Sequence, residues 1–101
     1  MTTTVQAVHF SADKKLVAFV NEKTAKLTAL HENITACDVI LKLDKASDNL
    51  NKIAEIKIKL KGTELFSKKQ CSTFEEAVDL CVDALKTQLK KYKEKRVLEK
   101  Y

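Results

Sequence analysis

Within Lys52 to Lys61 the apolar residues Ala54, Ile56, Ile58 and Leu60 alternate with Glu55, Lys57, Lys59 and Lys61. Successive side chains of a strand point to opposite faces, so this stretch is a strand with one dry face and one wet face. A sheet covered on a single side gives that pattern, whereas a strand buried on both faces reads as a continuous apolar run. The rest of the chain must therefore supply neighbouring strands and one covering layer.

Three other segments fit the sheet. Ile34 to Lys45 places Cys37, Val39, Leu41 and Leu43 on one face and Asp38, Lys42 and Asp44 on the other, with Ile40 as a lapse on the polar side. Thr63 to Cys71 follows Gly62, the only glycine, which sits where a hairpin needs a residue tolerant of positive φ. Val5 to Phe10 is short, β-branched and alternating. Ala46 to Asn51 carries Ser, Asp and Asn and is expected to be a loop.

Two helices supply the cover. The first is expected from about Ala12 to His31, N-capped by Ser11, with Leu16, Val17, Phe19, Val20, Leu27 and Leu30 as its periodic apolar set. The second spans Thr73 to Arg96 and lays Phe74, Ala77, Val78, Cys81, Leu85, Leu89 and Tyr92 on the core. Its start is marked by overlapping capping boxes, Ser72 with Glu75 and Thr73 with Glu76. The order is β-α-β-β-β-α, an α+β fold in which two helices pack side by side on one face of a four-stranded sheet. The 101 residues form one domain, ordered from about 4 to 96 with a flexible tail over 97–101.

The outer face of the last helix changes sign along its length. Glu75, Glu76, Asp79 and Asp83 come first; Lys86, Lys90, Lys91, Lys93, Lys95 and Arg96 follow, with Glu94 as the single acid. Acids at a helix N-terminus and bases at its C-terminus suit the macrodipole. That accounts for one or two lysines, not for six bases whose i, i+4 pairs repel. Such a run points to a polyanionic partner, and the net charge of +5 agrees with nucleic acid. With the helices side by side, Lys23 and Lys26 of the first are expected to join this surface. Lys57, Lys59 and Lys61 form a second basic row on the open sheet face, where lysine keeps exposed strands from pairing.

Other chemistries find no support. One glycine leaves no Gly-rich phosphate loop. His9 and His31 lie at separate element ends with no ligand partners at metal spacing, so neither a metal nor a cofactor is expected. No catalytic constellation emerges, and the chain reads as a non-enzyme with no small-molecule substrate. Cys37, Cys71 and Cys81 form no CxxC pair and are odd in number, which suits small buried hydrophobes in a reducing compartment. The N-terminus lacks a signal segment and no apolar run is long enough to span a membrane, so a cytoplasmic location is expected.

The element order and several runs resemble the ribosome hibernation-promoting factor / ribosome-associated inhibitor family in its short, single-domain form. The resemblance is carried by Leu16 to Leu27, by Asp38-Val39-Ile40-Leu41-Lys42-Leu43, and above all by Phe74-Glu75-Glu76-Ala77-Val78-Asp79 leading into Leu85 through Lys95. It implies a protein that binds 16S rRNA on the small (30S) ribosomal subunit, and the 70S ribosome, over the tRNA and mRNA channel. It further implies that idle ribosomes are blocked and protected in stationary phase. By that resemblance Lys23, Lys26, Lys86, Lys90, Lys91, Lys93, Lys95 and Arg96 would be the rRNA contacts. The second domain by which long members pair two ribosomes is expected to be absent. A general double-stranded-RNA binder, or a module for an acidic protein, remains the alternative.

Overall fold

The computed structural model describes residues 2–45 and 49–99, with side chains as far as residue 94. Its elements are β1 (Thr2–Val8), α1 (Lys14–Thr28), β2 (Ile34–Leu43), β3 (Lys52–Leu60), β4 (Thr63–Cys71) and α2 (Phe74–Glu99). The expected β-α-β-β-β-α order is thus present. The strands lie in chain order β1-β2-β3-β4, with β1 parallel to β2 and the other neighbours antiparallel. Only a parallel pair needs a long crossover, and α1 provides it.

Register sorts the two faces. Val39 lies opposite Val5 on one side and Ile56 on the other, and Ile56 in turn faces Ser67. Val39, Ile56 and Ser67, with Cys37, Leu41, Ala54, Ile58 and Leu60, are buried, and Val5 packs half-buried against them. Both helices cover this face, α2 contributing Ala77, Val78, Cys81, Val82, Leu85 and Leu89 and α1 contributing Val20 and Leu27. Thr24 is also buried in α1, where its hydroxyl donates to the Val20 carbonyl at 2.9 Å and so carries no unmet polar group into the core. Leu60 pairs with Thr63, which leaves Lys61-Gly62 as a two-residue turn with Gly62 at φ +84°.

Several expected boundaries move, each for a local reason. β1 ends at Val8 because His9 takes φ +69° and swings the chain off the sheet. Phe10, expected to end that strand, instead stacks on Phe74 with ring centroids 4.5 Å apart. The N-cap of α1 is Asp13, whose Oδ1 accepts from the Leu16 amide at 2.8 Å, so Ser11 stays in the loop. The same helix stops at Thr28, and a tight Leu30 N–H to Leu27 C=O bond then turns the chain; Leu30 is therefore 45% exposed rather than in the core.

Of the two capping boxes, it is Thr73 that caps α2, accepting from the Glu76 amide at 3.1 Å, while the Ser72 hydroxyl donates to the Glu76 carboxylate at 3.4 Å. α2 runs on to Glu99, past the expected end at Arg96, so 97–99 are helical and residues 100–101 of the expected tail lie outside the described residues.

Candidate nucleic-acid interface

The basic half of α2 is exposed as its spacing requires. Lys86, Lys90, Lys91 and Lys93 all lie on the outer side, while Leu85 and Leu89 between them are buried. At a rise of about 1.5 Å per residue, the four ammonium groups spread over about 10 Å of helix. Among the described residues no ion pair involves any of them. Four like charges held on a rigid rod, with Glu94 the one acid beside them, form a focused positive field. Lys95 and Arg96 lie beyond the residues whose side chains are described.

The two helices run parallel. Leu16 and Phe19 lie beside Phe74 and Glu75, Lys23 meets Asp79, and His31 meets Tyr92 at 5.5 Å between ring centroids. This register decides where the α1 lysines fall. Lys23 Nζ is 2.9 Å from Asp79 Oδ1, so it faces the acidic half of α2. The hydrogen bond and charge of Asp79 raise its pKa above the usual lysine value. Lys26, almost one turn further toward the basic end, is exposed and has no ion pair among the described residues. The structure thus separates the two α1 lysines that the sequence had grouped.

The open face of the sheet is mixed. Lys42 pairs with Glu55 at 2.8 Å and Lys59 with Asp38 at 3.8 Å, and the Thr4 hydroxyl donates to Asp38 at 2.7 Å. Lys57 and Lys68 have no ion pair among the described residues. Between them Phe66 stands 48% exposed, an aromatic ring on the wet side. Strand parity is the signal that finds it, because Leu65 and Ser67 alternate inward around it.

The cysteines are inert by environment. All three are free and buried. Burial pushes the Cys37 thiol up to about 11, with the neighbouring Asp38 charge adding to it. Burial also raises Cys71 and Cys81. Cys81 donates to the Ala54 and Ser67 carbonyls at 3.3 and 3.6 Å. Nucleophilic thiols need the thiolate, and these environments oppose it. Among the described residues no three His, Cys, Asp or Glu side chains gather as a metal site, and no helix is long and apolar enough to cross a membrane.

Comparison with known proteins adds to this geometry. The family model described as "Sigma 54 modulation protein / S30EA ribosomal protein" matches residues 3–97. A protein of Pseudomonas putida named "Ribosome hibernation promoting factor" is 29% identical over 96 residues, covering 95% of this chain and 90% of the relative. Among solved structures, a ribosomal subunit interface protein from Coxiella burnetii superposes with a TM-score of 0.82 at 22% identity, covering 93% of this chain and 99% of that one. The N-terminal domain of Thermus thermophilus Protein Y gives 0.75 at 22% identity, with 88% and 94% covered. At these identities the two structures attest the fold.

Proposed function

Since the chain belongs to the Sigma 54 modulation protein / S30EA ribosomal protein family, we propose that it is a ribosome hibernation factor that seats the outer face of α2 on 16S rRNA of the small subunit, over the tRNA and mRNA channel. The observation that carries this reading is the family match across residues 3–97. The geometry supports the choice of surface. A rigid row of unpaired lysines recognises folded RNA through phosphates and shape, with no need to open base pairs.

Within that surface Lys86, Lys90, Lys91 and Lys93 make the phosphate contacts, and Lys26 extends the row from α1. Lys95 and Arg96 continue it by sequence. Lys23 instead braces α1 against α2 through Asp79. Occupying the channel excludes tRNA and mRNA from the same space, so inhibition follows from steric blockade and needs no catalytic group.

Pelleting of the purified chain with 30S and 70S particles at near-physiological salt, against naked RNA duplex and tRNA as competitors, tests the reading. Binding that survives both competitors supports it. Release by plain duplex would indicate a general double-stranded-RNA binder, which spans about 16 base pairs by shape.

A further inference from the structure

The open face of the sheet carries a second constellation, on the side away from the helices. Phe66 stands directly opposite Lys57 in the β3–β4 register, and Lys57 lies opposite Asp38, which faces Thr4. Phe66 and Lys57 line a shallow depression of about 330 Å³ with Thr4, Gln6 and two carboxylates, Asp38 and Glu55, that are neutralised by Lys59 and Lys42. That volume lies near the lower end of the range for small-ligand sites, about 300 to 1,000 Å³. Lys68, two residues along β4 from Phe66, borders the same face.

Pairing on this face is selective. Lys42 and Lys59 each hold a carboxylate, whereas the two lysines that flank Phe66 hold none among the described residues. The Phe66 backbone is itself pinned, its carbonyl accepting from Gln88 Nε2 at 2.9 Å. A flat ring on a stiff strand, with the Lys57 ammonium across the sheet from it, Lys68 on one side along β4 and Glu64 on the other, and polar groups beside it, matches a nucleotide in its parts. The ring takes a base face, the ammonium groups take the flanking phosphates, and Thr4, Gln6 and Glu55 offer hydrogen-bonding groups to a base edge.

We infer that the open sheet face around Phe66 binds an unpaired nucleotide of single-stranded RNA, with the base stacked on Phe66 and adjacent phosphates on Lys57 and Lys68. The choice of RNA rests on the proposed function, but the surface is separate from the α2 row. One protein would then hold folded RNA on its helical side and a single-stranded segment on its sheet side.

The test titrates the ¹⁵N-labelled full chain with an unstructured decaribonucleotide of alternating cytidine and adenosine. Amide shifts at Thr4, Gln6, Ile40, Lys57, Phe66 and Lys68 are expected. Phe66→Ala should weaken the decamer by about 5- to 150-fold, the range that corresponds to loss of one stacked base, while Phe66→Tyr should restore it. The Lys86/Lys90/Lys91→Glu variant should keep decamer binding, so failure on ribosomes and failure here are read separately. Shifts confined to α2, or equal affinity for Phe66→Ala and the parent, would overturn the inference. So would concentration-dependent broadening of the sheet resonances without RNA, which would mean that a second copy covers the face.

Discussion

Lys23 of α1 and Asp79 of α2 are joined by a 2.9 Å ion pair. The link lies across the seam of the parallel helices and leaves Lys23 bordered by acids, with Asp83 adding to the field of Asp79. Its ammonium also lies 5.5 Å from the Phe19 ring centroid. Lys23→Gln should therefore leave ribosome binding close to that of the parent, while Lys26→Gln should weaken it. Pelleting titrations of the two single variants check this; equal losses would show that Lys23 reaches RNA despite its partner.

The inner face of α2 answers to a different perturbation. Leu85 is fully buried between the sheet and the helix. Leu85→Ala should cost about 2 to 5 kcal/mol through lost burial and a residual cavity. Urea denaturation measures it. Ribosome binding under folding conditions should then fall only in step with the unfolded fraction.

The cap of α1 gives a paired prediction. Asp13→Ala removes the acceptor of the Leu16 amide and should cost about 0.5 to 2 kcal/mol. Ser11→Ala should be close to neutral, although serine is as good an N-cap by residue type as aspartate. A thermal melt of each variant distinguishes them.

The thiols set an alkaline limit. Cys37 holds its proton up to about 11 in the folded chain, against about 8.5 for an unperturbed thiol. Between those values the unfolded chain has lost the proton and the folded chain has kept it. The stability from this group is thus complete below about pH 8.5 and is lost as pH rises toward the folded value. The urea midpoint should fall from about pH 8.5 upward, and fall less steeply in Cys37→Ala. Ellman's reagent should label the native protein slowly and all three thiols after denaturation.

Periodicity made the architecture legible, because each element has one wet and one dry side. The alternation from Ala54 to Lys61 and the i, i+3/i+4 stripe of α2 both survive in the structure, while Ile53, on the other face of β3, is buried as well. Boundaries depended on single backbone events that composition does not encode. His9 turns the chain with φ +69°, and it is the Asp13 carboxylate that accepts from the Leu16 amide. Buried Thr24 escaped notice because its hydroxyl is satisfied by its own helix.

The candidate site was legible as a run of like charges. What could not be read was how the α1 lysines sit relative to that run, since that depends on the parallel register that sets Lys23 against Asp79. Phe66 was hidden for a related reason. A lone aromatic in a strand reads as core by type, whereas parity with Leu65 and Ser67 and pairing with Lys57 put it on the wet face.

The most direct test of the central claim compares two variants of equal charge in ribosome pelleting at near-physiological salt. Lys86/Lys90/Lys91→Glu reverses the exposed row on α2, and Lys14/Lys15/Lys45→Glu reverses three exposed lysines outside it. Both should remain folded, and acids in the first turn of α1 suit its dipole. The account predicts that the first variant stays in the supernatant while the second pellets with 30S particles like the parent. Equal loss in both would mean that net charge rather than the α2 surface drives binding, and would contradict it.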